Sequence, residues 1–367
     1  PEVMCGDGPH GLRAYKKNPE HDVFDRDSLA PTTLFPVAVA MAATFNPTLL
    51  YEIGHAIGEE CNMYNVDLLL APGINMKRSP LGGRNFEYYS EDPYLTGVCA
   101  SAFVNGVQDT GVGACIKHYA FNEQENQRRF LNTLVDERTM HEFYLRPFYY
   151  AITHANPMAI MSSYNQIDGD YGSESSYLLQ DVLRTQWNYE GMVISDWGAV
   201  QNKVKSIKNG MNIEMPGPSE FRDELAEAVA QKTLTEAELD ASLRPLLTFY
   251  DKTVANSNKG KKADLKAHHQ LARRVAEEAI VLLENDGILP LPNQSNIGVV
   301  GSFAHKPRTN GGGSATLKPY ICEEPLEELR TIFDIEYAQG YEEEHTTVQL
   351  LQDVRELCEK RDIIVFF

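Results

Sequence analysis

Long hydrophobic runs are missing from this 367-residue chain. No apolar stretch approaches the roughly 18 residues that a membrane span requires. Basic residues are in deficit, 33 against 52 acidic ones, for a net charge of −19. That sign argues against nucleic acid or an anionic membrane as partner and favours a neutral or cationic ligand. Cysteine is sparse: Cys5, Cys61, Cys99, Cys115, Cys322 and Cys358 show no CxxC spacing. They read as reduced, mostly buried thiols of a reducing, cytoplasmic compartment rather than a disulfide framework or zinc site. HExxH and DxDxDG motifs are absent, as is any carboxylate–histidine cluster at metal-ligand spacing, so no metal or other cofactor is expected. There is no GxSxG elbow. The initiator Met is missing too: the chain opens on Pro1 and stops within Ile363-Ile364-Val365-Phe366-Phe367. Both ends read as cut, which leaves secretion open.

What is present is an ordinary globular composition, 43% hydrophobic and 23% charged, at a length that suits about two domains. The Gly- and charge-rich start, to about Arg26, reads as loop, with Asp7 in a tight DGPHGLR turn. There Asp7 is either a ligand-facing carboxylate or an Asx-turn. From Pro47 to about Tyr64, Leu50, Ile53, Ile57 and Cys61 recur at helical spacing, with Asn46 as cap and Pro47 in the first turn. A continuous apolar strand follows at Val66–Gly73. The polar segment 74–92 is too long for a plain connector, and Phe86, Tyr88 and Tyr89 argue for order in it. Arg84 there serves either a polar substrate or a surface carboxylate.

A helix near 93–108 leads to a strand ending Ile116-Lys117-His118-Tyr119. Cations at the end of an apolar strand are poor core residues, because burying one without a partner is costly. Helical spacing over 137–151 precedes the strand 157–165, which ends Ser162-Ser163-Tyr164-Asn165. Gly191–Gly198 is the next strand. It delivers Asp196 and Trp197 at its carboxyl end, where α/β folds place their chemistry. Taken alone, Asp196 is equally a helix cap. A short helix at 204–208, a short strand at 211–215 and helices at 221–229 and 236–250 complete the first domain.

Strand after strand delivers polar residues at its carboxyl end, and repeated βα units imply a parallel sheet. The expected fold is a (β/α)8 barrel over 1–250, a linker over 251–267, and the start of an α/β-sandwich domain over 268–367. A doubly wound sheet is the alternative, without a GxGxxG to support it. The strand-end and loop inventory is Asp196, Lys117, His118, Tyr164, Asp7, Arg84 and Arg128. A carboxylate among hydrogen-bond donors and aromatics such as Trp197 suits a polyhydroxylated ligand. Glycoside cleavage needs a second carboxyl, about 5–5.5 Å away in a retaining enzyme. None is convincing: Glu87, Glu123 and Glu125 sit in polar loops, and Glu342-Glu343-Glu344 reads as a solvated face.

The motifs DGPHGLR, GRNFEYYSEDPYL, KHYAFNEQENQR, MSSYNQIDG and GMVISDWGA, in this order, closely resemble the glycoside hydrolase family 3 β-glucosidases. The likeness covers essentially the whole chain. It implies a retaining hydrolase that releases terminal β-D-glucosyl residues from β-glucosides or oligosaccharides, with the Asp of SDW, here Asp196, as nucleophile. It also implies that Asp7, Arg84, Lys117, His118, Arg128, Met161, Tyr164 and Trp197 line the sugar subsite. Ser314, in the glycine-rich loop of the second domain, is implied to reach the same site. The family's general acid/base is a Glu farther along than residue 367, so no residue here is assigned to it. By the same resemblance about one βα unit, with the first barrel strand, precedes Pro1. Competing readings are a β-xylosidase or exo-glucanase of the same family, a Schiff-base lyase using Lys117, and a non-catalytic sugar-binding fragment. Self-association is left open.

Overall fold

The computed structural model describes residues 2–16, 28–217, 222–309, 311–342 and 345–367. The expected loop to Arg26 lies outside the described residues over 17–27, as do Glu343, Glu344 and Phe221. The chain forms two compact units, Pro1–Ile280 with Gly312–Lys318, and Val281–Gly311 with Pro319–Phe367.

In the first unit five parallel strands stand side by side: β1 (Cys5–Asp7), β2 (Leu68–Leu70), β3 (Gly113–Tyr119), β4 (Ala159–Ser162) and β5 (Met192–Ser195). The register runs Cys5↔Leu68, Leu68↔Gly113, Cys115↔Ala159 and Ala159↔Met192. A further parallel bridge joins Ile194 to Ile213, where a short strand was expected. The spatial order follows the chain order without reversal. A doubly wound sheet would reverse at its switch point, so this progression is that of a (β/α)8 barrel. β2 to β5 are buried throughout, which is why they read as unbroken apolar runs. One face carries Leu68, Leu70, Cys115, Ala159, Met161, Met192 and Ile194, closed off by Phe249. The other face packs against helices.

Those helices start where the sequence says they should. In α1 (Pro47–Met63) the Asn46 side chain accepts the Leu49 amide, and in α2 (Pro93–Asp109) the Asp92 carboxylate accepts Tyr94 and Leu95. α1 and α2 touch backbone to backbone. A Cβ on Gly54 would lie 2.2 Å from Phe103 O, and one on Gly106 would lie 2.1 Å from Tyr51 O. α3 (Arg146–Ala155) follows a π-helical stretch, Met140–Tyr144, within what the spacing marked as one helix.

The expected linker, 251–267, takes a different course. α4 (Glu236–Val254) runs into it from one side and α5 (Leu265–Ala279) begins inside it. Between them the chain is strapped to the first unit. Asn256 Nδ2 donates to Asn62 Oδ1 at 2.8 Å, the Gly260 amide to Asn62 O at 2.7 Å, and Lys259 Nζ to buried Asp67 at 2.6 Å. α5 belongs to the first unit because Ala272 and Val275 are buried in its core and His268 is held by Glu59 and Glu60. The unit boundary therefore falls after Ile280, not near His268.

In the second unit β6 (Asn296–Val300) is flanked in parallel by β7 (Asp334–Ala338) and β8 (Ile363–Phe366). Helix Val348–Lys360 connects β7 to β8. The glycine-rich segment 312–318 is counted with the first unit: Ala315 and Leu317 are buried, and Arg13 Nη1 donates to Gly313 O at 3.3 Å. All six cysteines are free thiols. No helix among the described residues is long and apolar enough to cross a membrane.

Candidate active site

Asp196 sits one residue beyond β5. The next helix starts at Lys203 and is capped by Asn202, so Asp196 caps nothing. Its Oδ1 accepts the Trp197 amide at 2.7 Å. Its Oδ2 is buried and lies 3.5 Å from His118 Nε2. The turn that carries it is fixed by Gly198 N–H to Met215 O at 2.7 Å, with Gly198 at a φ of +72° that favours glycine.

Lys117 and His118, both buried, come from the end of β3; the peptide between them is cis. Lys117 Nζ is 3.6 Å from Asp7 Oδ1, and Arg13 Nη1 is 3.9 Å from Asp7 Oδ2. Asp7 is thus a partner of cations at the end of β1. Burial raises its carboxyl above the usual range, Lys117 and Arg13 pull it back down, and Asp196 and Glu87 push it up. An ion-paired Lys117 is poorly suited to the Schiff-base chemistry weighed above.

Arg84 is held by Glu87, a buried carboxylate three residues on, not by a surface acid. Its Nη2 lies 2.9 Å from His118 Nε2. A guanidinium only donates, so Nε2 is the acceptor and the ring proton sits on Nδ1. That nitrogen faces Tyr88 Oη at 3.0 Å and Asn75 Oδ1 at 3.4 Å. Burial, then the charges of Arg84, Lys117 and Arg128, hold the His118 ring far below its ordinary pKa. It is neutral, and its lone pair is turned to Arg84. The contact with Asp196 Oδ2 is therefore not an ion pair.

Arg128 pairs with Glu125 and lies over the Tyr164 ring at 4.3 Å. Burial, the nearby Asp196 charge and a hydrogen bond to that carboxylate raise the Tyr164 hydroxyl above its ordinary pKa. Met161 lies in the interior layer of the barrel, paired in register with Lys117 and Ile194. Trp197 is 43% exposed. Ser314 occupies a short turn, Gly313–Ala315, on the segment tied to Arg13. Contacts thus join Asp7, Arg84, Lys117, His118 and Asp196 directly, and tie Arg128 and Tyr164 to them. Met161 meets that cluster as the register partner of Lys117, and Ser314 shows no side-chain contact with it among the described residues.

Sequence reasoning missed Asn75, Tyr88 and Arg129, and set Glu87 aside. Arg129 lies 5.1 Å from the Tyr164 ring and donates to Trp197 O at 3.2 Å. Glu123, also set aside, is pushed up to about 8 by burial, against a hydrogen bond from Asn75. The one available signal was the density of polar residues in a segment too long for a connector.

Carboxylates and cations gathered at the carboxyl ends of parallel strands make the layout of a (β/α)8-barrel active face. Family models agree. The glycosyl hydrolase family 3 N terminal domain matches residues 21–249, and the family 3 C-terminal domain matches 280–367. The chain belongs to glycosyl hydrolase family 3. It is 40% identical over 375 residues to the thermostable beta-glucosidase B of Acetivibrio thermocellus, covering 100% of this chain and 49% of that protein. It is 38% identical over 381 residues to an exo-alpha-(1->6)-L-arabinopyranosidase of Bifidobacterium longum, covering 100% of this chain and 50% of that one. Among solved structures, a family 3 beta-glucosidase of Bifidobacterium adolescentis superposes with a TM-score of 0.89 at 36% identity, over 100% of this chain and 53% of that one. Beta-glucosidase 3B of Thermotoga neapolitana, solved with glycerol, gives 0.89 at 37%, over 100% and 55%. The chain spans about half the length of these relatives.

Proposed function

We propose that this chain carries the sugar site and the nucleophile of a retaining hydrolase acting on terminal β-D-glucosyl residues, with Asp196 as nucleophile. The carrying observation is the setting of that carboxylate at the carboxyl end of β5: Oδ1 is held by the Trp197 amide, and the buried Oδ2 lies 3.5 Å from the neutral His118 ring. In this reading Oδ2 attacks the anomeric carbon as the bond to the leaving oxygen breaks. The leaving oxygen takes a proton from a carboxylic acid assigned to no residue of this chain. Water then cleaves the glycosyl ester and restores the Asp196 carboxylate. Asp7, Arg84, Lys117, His118 and Arg128 are the proposed partners of the sugar hydroxyls. Tyr164, Trp197 and Met161 line the less polar face, and Ser314 joins from its loop. The second unit is read as the start of an α/β-sandwich domain.

A 2-deoxy-2-fluoro-β-D-glucoside with a good leaving group tests this in the full-length chain. Mass spectrometry of the digested protein should find the sugar on Asp196, and labelling elsewhere or nowhere would sink the reading. A second reading draws on the relatives named arabinopyranosidases at 38% identity. The same site would then take terminal α-L-arabinopyranosyl residues, a ring without glucose's hydroxymethyl group. Parallel assays of the two aryl glycosides separate them.

A further inference from the structure

We propose that Asn75 is a positioning residue that allows Lys117 and His118 to serve one pocket, by standing in for a strand where β3 leaves its ladder. This rests on the sugar-site reading above. In an unbroken strand, consecutive side chains point to opposite faces. Here Lys117 reaches Asp7 while His118 reaches Arg84 and Asp196. The pairing shows where regularity ends: Lys117 is opposite Met161 and Tyr119 is opposite Ser162, so β4 skips His118.

On the other side, the Lys117 amide donates to Pro72 O at 3.0 Å and its carbonyl accepts the Ile74 amide at 2.7 Å. One residue further, backbone gives way to a side chain. Asn75 Oδ1 accepts the His118 amide at 2.7 Å, and Asn75 Nδ2 donates to the His118 carbonyl at 2.9 Å. These are the two bonds a neighbouring strand would make, and a buried peptide group left without them is costly. A side-chain amide supplies both from separate atoms in one plane, whereas a carboxylate has no donor and a hydrocarbon has neither. Asn75 is itself buried, and its Nδ2 also approaches Glu123 Oε1 at 3.4 Å, which fixes which way the amide faces.

The test compares wild type, Asn75→Leu and Asn75→Asp in the full-length chain, by kinetics on 4-nitrophenyl β-D-glucoside and by ring 15N signals of His118. Those signals are assigned by their loss in His118→Asn. Asn75→Leu should lower kcat/KM by about 10²-fold, the scale of a reacting group displaced by an ångström, and should move the His118 signals. Asn75→Asp, which keeps the acceptor, should fall between. A purely structural Asn75 would lower thermal stability and leave the kinetics of the folded enzyme and the His118 signals as they are; that result overturns the proposal. If Asn75→Leu does not fold, Asn75→Asp decides by the same criteria. If the wild type does not cleave the glucoside, the glucosyl reading fails, and the His118 signals alone decide on Asn75.

Discussion

His268 ties α5 to the first unit, and its removal should have a pH-dependent cost. Its Nδ1 lies 2.8 Å from Glu60 Oε1 and its Nε2 lies 2.9 Å from Glu59 Oε2. Carboxylates only accept, so both ring nitrogens donate and the ring is an imidazolium. Burial works against that charge, but the hydrogen bonds the ring donates to Glu60 and Glu59 outweigh it and raise the pKa. The two bonds are unequal. The Glu59 side chain is 46% exposed, so solvent leaves that pair worth about 0–1 kcal/mol. The Glu60 side chain is fully buried, and its other oxygen takes the Thr33 amide at 2.9 Å. Taking one partner from a buried pair costs about 3–5 kcal/mol, because the remaining charge stays buried. His268→Ala should therefore lose about that much near pH 6. A group whose folded pKa lies above its unfolded value, about 6.5 for His, contributes fully below that value. The contribution fades as pH rises through the folded pKa. The difference between wild type and variant should accordingly shrink toward alkaline pH. Urea unfolding followed by tryptophan fluorescence reads this unit, since Trp187 and Trp197 both lie in it. A difference that does not change with pH, or one below about 1 kcal/mol, would refute the clamp.

Two further outcomes follow from the same structure. Gly106→Ala places a methyl group 2.1 Å from Tyr51 O, where two helix backbones meet and neither can step aside cheaply, so urea unfolding should show a loss of about 1–3 kcal/mol. An unchanged midpoint would mean that the helices are farther apart. The His118 ring should keep the 15N shifts of a neutral, Nδ1-protonated imidazole from about pH 5 to pH 8; a titration within that range would contradict the Arg84 hydrogen bond to Nε2.

Much of the architecture was legible because it rests on local patterns. Buried parallel strands must be apolar on both faces, so β2, β4 and β5 appear as runs such as Met192–Ser195. Asn46-Pro47 and Asp92-Pro93 announce α1 and α2 through chemistry that needs no tertiary partner. Lys117, His118 and Asp196 stood out because cations and carboxylates at the ends of such runs need a reason to be there. The linker was misjudged because a polar, lysine-rich segment looks the same whether it is free or strapped down. Lys259 meets Asp67 from 192 residues away.

The sequence by itself determined which residues become strands and helices, and which of them bring charge to the strand ends. Tertiary structure alone decided how those charges face one another. It put the imidazole proton of His118 on Nδ1 by turning Nε2 toward Arg84, so that His118 offers no proton to Asp196 Oδ2. It also placed Asn75 against a backbone 43 positions further along the chain. Periodicity, capping and turn chemistry act over a few residues, whereas protonation and hydrogen-bond satisfaction depend on whatever the fold carries within about 3 Å.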